Sequence, residues 1–287
     1  LKLIIYLLLL VTLCTAPSVN CTSVTIAKRV RTSNEHVFLG IQYATVSQRF
    51  ARASLATSEM YENVNYPSCY QDDNCLYLNI FTPSIISASQ SPVLVLLDAA
   101  SANKTSSNHW QASLANAATH LQSVIVSVQY RHGALANLLY ESLKMGNLGV
   151  HDVLIALQWV QKHIHAYGGS VRNVTLMGTG DLMASQDYYE NTASSTIALV
   201  MALVQQQFQF TIPLFHKLVA IEASPDTSIN TLAASQQATF ALAIKLKCTT
   251  VGNFKPWYSE EEAKSIVDCL CKTSLADLHA AELAIRL

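Results

Sequence analysis

Charged side chains are scarce in this sequence of 287 residues: Asp, Glu, Lys and Arg make up 13% of it, about half of the usual share in a soluble domain. Hydrophobic residues make up 51%, which indicates a large buried surface and excludes a disordered chain. The net charge is -1, and no basic stripe or polybasic patch is present. Nucleic acid and anionic membrane surfaces are therefore not expected as partners. Because no repeat or linker divides the chain, we expect one large domain.

Long apolar runs are also lacking, apart from one at the amino terminus. Lys2 is followed by residues 3–13, nearly all apolar, and then by Cys14, Thr15 and Ala16. This run is too short to span a bilayer comfortably and is followed by small residues, which is typical of a secretory signal peptide cleaved near Ala16. A short membrane anchor is the alternative. We predict a signal peptide over 1–16, one domain over 17–287, no transmembrane anchor and an extracellular location.

Cysteines and glycosylation sequons fit that compartment. Beyond the signal segment the number of cysteines is even, so disulfides are expected: Cys21, Cys69, Cys75, Cys248, Cys269 and Cys271. The pattern N-x-[ST] occurs at Asn20, Asn103 and Asn173, and each is a candidate glycosylation site. Asn103 is the strongest of the three because its neighbours have the composition of an exposed loop.

The hydrophobic pattern alternates strands with helices. Two apolar runs, 92–97 and 123–128, predict buried strands, and helices are predicted between them at 110–120 and after them at 152–165. A third short strand follows at 174–177. This order predicts an α/β fold with a mostly parallel sheet and helices on both faces.

Other elements flank this core. Two earlier strands are predicted, for which an antiparallel arrangement is open, together with one later buried strand and three later helices. These elements are strands near 37–43, near 76–81 and within 213–221, and helices near 194–210, near 233–246 and from Glu260 onward. Ser259 and Glu262 have the spacing of a capping box.

The run 174–182 lacks the residue that its pattern calls for. Its sequence, Val-Thr-Leu-Met-Gly-Thr-Gly-Asp-Leu, is shaped like the strand-to-helix turn G-x-S-x-G that carries the nucleophile of serine hydrolases. Gly180 stands at the serine position. Glycine has no side chain to deprotonate, so this turn cannot form an acyl-enzyme through serine.

Ordered sequence blocks elsewhere carry a family resemblance. Residues 38–44 with Arg49 and Phe50 are similar to one signature, and 73–83 to a second, usually written S-E-D-C-L-Y-L-N. Further blocks follow in order: Tyr130-Arg131, 146–149 with Asp152, 156–161 with Gly168-Gly169, 173–176, and 214–216. On these residues the chain resembles the type B carboxylesterase and cholinesterase family along almost its whole mature length. The resemblance implies an α/β-hydrolase fold of which the C-terminal half is missing.

The departures from that family fall on its catalytic parts. Its nucleophile turn reads G-E-S-A-G, and its oxyanion loop reads H-G-G-G, where Asp98, Ala99, Ala100 and Ser101 stand here. Alanines replace two glycines, and Asp98 and Asp181 bring negative charge to a site that must stabilise an oxyanion. Loss of a single donor from such a site raises the barrier by about 2.7 to 4 kcal/mol. The resemblance therefore implies a degenerate site at Gly180, Ala99, Ala100 and Asp181.

No other residues replace the missing catalytic groups. The acid and histidine of the family follow the Cys269 region, and the chain stops at Leu287, so we expect no triad. His216 matches a structural block, and His279 lies on an amphipathic helix. Ser185 and Ser224 are outside any G-x-S-x-G turn, where serine is usually a cap or a surface residue.

Metal and cofactor sites are not predicted either. Asp98 and Asp181 are open to interpretation as an acid-base or metal-binding pair, but two acids are a weak metal signal. We predict no catalytic residue, no metal and no cofactor.

The cysteine pairing follows from the resemblance. It implies the disulfides Cys69–Cys75 and Cys248–Cys269. Cys21 and Cys271 are left over: they pair with one another, link two chains or stay free. A metal site at Cys269-x-Cys271 is the weaker interpretation in an oxidising compartment.

Three functions remain open. Members of this family without the nucleophile act as extracellular adhesion and recognition proteins, so the resemblance implies a secreted, inactive protein that binds an unknown protein partner. The first alternative is a carboxylic ester hydrolase that uses unconventional groups. The second is a truncated product that folds poorly and aggregates, because its sheet would leave an edge and apolar surface uncovered.

Overall fold

The computed structural model describes residues 36–56, 63, 65–69, 71–83, 90–97, 108–178, 193–208, 210, 212–221, 232–253 and 258–285. The strands in this part are β1 (Val37–Gln42), β2 (Ala44–Thr45), β3 (Ser54–Leu55), β4 (Tyr77–Phe81), β5 (Ser91–Leu97), β6 (Val124–Val128), β7 (Gly169–Gly178) and β8 (Lys217–Ala220). The helices are α1 (Asn108–Leu121), α2 (Ala134–Asn137), α3 (Leu148–His163), α4 (Ala193–Phe208), α5 (Leu232–Lys245), α6 (Glu260–Lys272) and α7 (Leu275–Ile285). Several predicted features lie outside the described residues: the signal segment 1–16, Asn20, Cys21, Asp98, Ala99, Ala100, Asn103, Gly180, Asp181, Ser185 and Ser224.

Six of these strands form a mostly parallel sheet in the order β1-β4-β6-β5-β7-β8. β5 pairs in parallel with β6 and β7, and β7 pairs in parallel with β8. β4 runs antiparallel to both of its neighbours, β1 and β6. The predicted parallel arrangement is confirmed, and the two early strands are indeed antiparallel. β6 is buried along its whole length, as expected of a β-branched strand covered on both faces.

Helices cover both faces of this sheet, as predicted. On one face α1 places Leu114 and Ala118 against Leu96 of β5 and Ile125 of β6. On the other face α3 and α4 bury an apolar core against the same strands, with Trp159 1% exposed at its centre. The alternating side chains of β5 divide between the two faces, since successive residues of a strand point in opposite directions.

β8 differs from the prediction of a buried strand. It lies at the end of the described sheet, Lys217 is exposed, and Val219 is 39% exposed, whereas Leu218 and Ala220 are partly buried. The prediction was wrong because an apolar run indicates a strand but does not distinguish a central strand from an edge strand. Among the described residues, no strand pairs with the outer side of β8.

The two disulfides implied by the resemblance are present. Cys69 is bonded to Cys75, and Cys248 at the end of α5 is bonded to Cys269 in α6. Cys271 forms no disulfide within the described residues and is half-buried. Cys21 lies outside them, so the alternatives for these last two cysteines stay open.

The amino terminus of α6 has the predicted capping box. The Ser259 hydroxyl accepts a hydrogen bond from the backbone N–H of Glu262 at 3.2 Å, and the Glu262 carboxylate accepts one from the backbone N–H of Ser259 at 3.1 Å. Two backbone donors that a helix start leaves unpaired are thereby satisfied.

Candidate functional site

The carboxyl ends of four parallel strands form one row. Leu97 at the end of β5 pairs with Val128 of β6 and with Gly178 of β7, and Gly178 pairs with Ala220 of β8. The carbonyl of Gly178 also accepts a hydrogen bond from the backbone N–H of Ile221 at 2.9 Å. In open parallel sheets, sites form outside this edge.

This row places side by side the two strand ends that precede the segments predicted to be degenerate. The oxyanion-loop positions begin at residue 98, directly after Leu97, and the nucleophile turn begins at Gly178, which is buried. Paired strands lie about 4.8 Å apart, so both segments leave the sheet from neighbouring points. Residues 98–101 and 179–182 are themselves outside the described part of the chain. Their degenerate roles therefore stay predictions.

A buried ion pair stabilises the chain just beyond β6. Arg131 Nε lies 2.8 Å from Asp152 Oδ2, and Arg131 Nη2 lies 2.7 Å from Asp152 Oδ1. Both side chains are almost fully buried, at 2% and 0% exposure. Arg131 also donates its backbone N–H to Asp152 and its Nη1 to the carbonyl of Ala51. Burial raises the pKa of Asp152, and the hydrogen bonds from Arg131 oppose that rise.

Gln129 connects the same strand end to the smaller disulfide loop. Its side-chain amide donates to the carbonyls of Pro67 at 2.9 Å and Cys75 at 2.6 Å. The backbone carbonyl of Gln129 accepts a hydrogen bond from the hydroxyl of Tyr43 at 2.9 Å. Gln129 is 4% exposed, so these bonds satisfy a buried amide. The sequence patterns did not identify this residue, because a single Gln after a strand carries no motif.

Arg49 is a second connection that the sequence did not reveal. Its Nε lies 2.9 Å from Asp73 Oδ1, in the Cys69–Cys75 loop, and its Nη1 donates to the carbonyls of Leu270 and Thr273 at the end of α6. A cation at the carboxyl end of a helix is favourable because carbonyls there lack partners. The sequence marked Arg49 only as part of a signature.

The two histidines that follow the nucleophile turn in sequence do not form a triad in the described structure. His216 directly precedes β8, so it lies at the amino end of that strand, whereas the row at Gly178 lies at the carboxyl end. There its backbone N–H donates to the carbonyl of Val174 at 2.7 Å, and its Nδ1 accepts from the N–H of Val174 at 3.3 Å. His279 Nδ1 lies 3.6 Å from Glu282 Oε2, one turn along α7.

No group of three His, Cys, Asp or Glu side chains within the described residues is placed to hold a metal ion. In the same part of the chain, no helix is both long enough and apolar enough to cross a membrane.

Two partly buried histidines predict a loss of stability in acid. Burial lowers the pKa of His151 to about 4, with Arg52 and Arg131 adding to the effect, and burial likewise lowers the pKa of His163 to about 4. In the unfolded chain the pKa is about 6.5, so between these values the unfolded state binds more protons. The contribution of these two histidines to the free energy of unfolding is therefore fully present above about pH 6.5, and it is lost as the pH drops toward 4.

Urea unfolding at pH 7.5, 6.5, 5.5 and 5.0 measures this dependence. We expect the double variant H151Q/H163Q to lose less stability over this range than the unsubstituted chain, whereas substitution of the exposed Asn116, which does not titrate, with Gln leaves the slope unchanged. Equal slopes in all three proteins would contradict the assignment.

Comparison with known proteins decides the family. The sequence model of the carboxylesterase family matches residues 22–285. The chain belongs to the carboxylesterase family. With the sheet described above, this family gives the chain an α/β-hydrolase fold, as the resemblance implied.

Curated relatives of this carboxylesterase-family chain include enzymes and a neuroligin-like protein. A neuroligin-like protein, glit-1, from Caenorhabditis elegans is 32% identical over 169 residues, which cover 49% of this chain and 23% of the relative. A probable N-octanoylanthranilate hydrolase, AqdA2, from Rhodococcus erythropolis is 31% identical over 168 residues, 51% of this chain and 37% of the relative. Acetylcholinesterase from Danio rerio is 30% identical over 141 residues, 48% of this chain and 22% of the relative. The matched regions thus cover well under half the length of each of these relatives.

Proposed function

We propose that this carboxylesterase-family chain is a secreted, catalytically inactive protein that binds a protein partner. The observation that carries the proposal is Gly180, which follows the end of β7 by two residues at the position of the family's nucleophile. A hydrolase of this type needs a serine there to form the acyl-enzyme. The substitutions at 98–100 and at Asp181 remove support for the oxyanion as well.

A binding role is supported by two further observations. The described core buries an ion pair and the Cys69–Cys75 disulfide, and helices pack on both faces of the sheet, so the packing needed for a folded binding protein is present in this part of the chain. One relative is a neuroligin-like protein, and the resemblance connects members that lack the nucleophile with recognition outside the cell. The chemical class of the partner follows from this connection and not from a described pocket.

Ester hydrolysis tests the catalytic half of the proposal. The secreted chain, incubated with short-chain p-nitrophenyl esters, is expected to show no turnover above a heat-denatured control and no labelling by a fluorophosphonate. We expect Gly180→Ser to remain inactive, because the restored hydroxyl still lacks the glycine-rich oxyanion loop, and the resemblance implies that Asp98 and Asp181 add negative charge to that site. Turnover by the unsubstituted chain that is lost on substitution of Asp98 or Asp181 would instead establish the unconventional hydrolase.

Binding to cells tests the other half. A fluorescent fusion of the secreted chain should bind saturably to the surface of at least one of a set of cultured cell lines. Excess unlabelled chain should compete with this binding, and proteolysis of the cell surface should abolish it. Size-exclusion chromatography of the same preparation separates this outcome from misfolding, since the truncated-product alternative predicts aggregation. Saturable binding with no turnover supports the proposal; aggregation of the secreted chain contradicts it.

A further inference from the structure

Basic side chains from three separate segments lie at the amino ends of β7 and β8. Lys162 belongs to the last turn of α3, and Arg172 to a stretch of β7 where the pairing with β5 is interrupted. Lys217 is the first residue of β8. His165 follows α3 and His216 precedes β8, and all five residues are exposed. We call these five residues the basic surface. Because they are scattered along the chain, no sequence pattern indicated it.

Hydrogen bonds hold the three segments together. The side-chain amide of Gln161 donates to the carbonyl of Val171 at 3.2 Å and to that of Leu214 at 2.9 Å. The end of α3 is thereby fixed against both the interrupted stretch of β7 and the segment that leads into β8. Lys217 Nζ donates to Asn173 Oδ1 at 3.2 Å. The Lys217 side chain thus extends toward β7, and its position does not require the outer side of β8 to be free.

No carboxylate balances these charges within the part of the chain that the structure describes. Asp and Glu are absent from the described residues between 153 and 221, the region that contains all three segments. Lys162, Arg172 and Lys217 form no ion pair with a described residue. The net charge of the whole chain is -1, so the positive potential of the basic surface is a local property of the fold.

Stabilisation of α3 explains only part of this surface. Lys162 and His165 lie at the carboxyl end of a helix, where positive charge is favourable. Arg172 and Lys217 belong to strands and have no such role. Both are exposed, and no described counter-charge neutralises them, so they are available to an anionic ligand.

We propose that the basic surface binds a sulfated polysaccharide outside the cell. Sulfate groups repeat along such a polymer, so one molecule contacts cations from several segments at once, and clusters of Lys and Arg are typical of heparin-binding patches. Exposed guanidinium and ammonium groups donate charge-assisted hydrogen bonds to oxyanions such as sulfate. This inference goes beyond the proposed function and takes from it only the extracellular location.

Two other classes of polyanion fit this surface less well. Single-stranded nucleic acid binds through aromatic side chains on which its bases stack. The Trp, Tyr and Phe residues of the three segments are buried, since Trp159, Tyr167 and Phe215 are 1%, 0% and 3% exposed. Anionic lipids are concentrated in the cytoplasmic leaflet of membranes, which an extracellular protein does not meet. A sulfated polysaccharide needs neither an aromatic platform nor a bilayer.

The heparin affinity of the secreted chain tests the proposal. The full chain is secreted with an established signal sequence in place of residues 1–16, from cells that make only high-mannose glycans, and is trimmed with endoglycosidase H. The predicted sequon at Asn173, which adjoins the basic surface, then keeps at most one sugar. Immobilised heparin at pH 7.4 should retain the chain to a higher salt concentration than a sulfopropyl resin, which presents anionic charge without the polysaccharide.

Matched charge variants locate the binding surface. K162Q/R172Q/K217Q should bind heparin at least about tenfold more weakly, because three ionic contacts are lost. K162R/R172K/K217R keeps the charges and should retain the affinity. K245Q/K247Q/K264Q removes three exposed charges from other segments and should also retain it. Thermal unfolding verifies that each variant is folded. Equal weakening by the two glutamine variants, or elution from heparin and from the sulfopropyl resin at the same salt concentration, would contradict the proposal.

Competition identifies the class of ligand and separates this inference from the proposed function. Free heparin should displace the chain at a lower concentration than hyaluronan, which carries carboxylates but no sulfate, and at a lower concentration than single-stranded DNA. Tighter binding to DNA, or to vesicles that contain phosphatidylserine, would overturn the proposal. Secretion directed by the chain's own residues 1–16 is measured in parallel. Its failure would contradict the proposed function, whereas the heparin measurements alone decide whether the basic surface binds a sulfated polymer.

Discussion

Asp152→Asn is expected to lower the free energy of unfolding by about 3 to 5 kcal/mol, the usual cost of removing one partner from a buried ion pair. The Arg131 guanidinium is 2% exposed and would remain in the core with no counter-charge. In addition, one oxygen that now accepts from Arg131 would become an amide donor that faces another donor. Domains of this kind are stable by about 5 to 15 kcal/mol, so the loss is a large part of the total.

Urea unfolding of the variant and two controls measures this effect. Arg131→Met combined with Asp152→Leu removes both charges and should be more stable than Asp152→Asn, because no charge is then left unpaired. It should still fall below the unsubstituted chain by about 1 kcal/mol, since the bond from Arg131 to the carbonyl of Ala51 is also lost. Arg172→Met, the same substitution at an exposed position, should change stability by less than about 0.5 kcal/mol. A small loss in Asp152→Asn would contradict the structural role of the pair.

The central sheet could be predicted from sequence because its strands are buried on both faces. The run 123–128 became β6 with a one-residue difference at its start, since a β-branched segment in this position has few alternatives. β8 shows the limit of such patterns: Val219 is apolar and yet exposed, because its exposure depends on which strands pair beside it. The pattern of a single strand does not contain that information.

Long-range contacts between polar residues were beyond sequence reasoning for a related reason. Arg131 and Asp152 each belong to a sequence block that carries the family resemblance. Their ion pair, however, depends on how α3 crosses the end of β6, which the sequence blocks do not specify. Gln129 and Arg49 show the same limit, since each bonds to backbone carbonyls that any residue provides. By contrast, the disulfides were predicted because the resemblance supplied the pairing, which spacing alone leaves ambiguous.

The Cys248→Ser/Cys269→Ser variant is expected to lose about 3 kcal/mol of stability. The bridge joins residues 21 apart in sequence, and in the chain-entropy model a loop of this size contributes about 3 kcal/mol by restricting the unfolded state. The bridge joins the end of α5 to α6, whose carboxyl end also accepts hydrogen bonds from Arg49. Its loss should therefore loosen the contact between α6 and the segment that holds Arg49. Ser265→Ala, an exposed substitution on the same helix, should change stability by less than about 0.5 kcal/mol.

Reduction should distinguish the two bridges in the folded protein. Cys69 and Cys75 are both 0% exposed, whereas Cys248 and Cys269 are both partly exposed. Because exchange requires a thiolate to reach a disulfide sulfur, mild dithiothreitol should open Cys248–Cys269 first and leave Cys69–Cys75 intact until the chain unfolds. Alkylation followed by peptide mass analysis identifies which cysteines are released. Simultaneous release of all four cysteines under native conditions would mean that reduction proceeds through global unfolding, and the difference in burial would then not control the reaction.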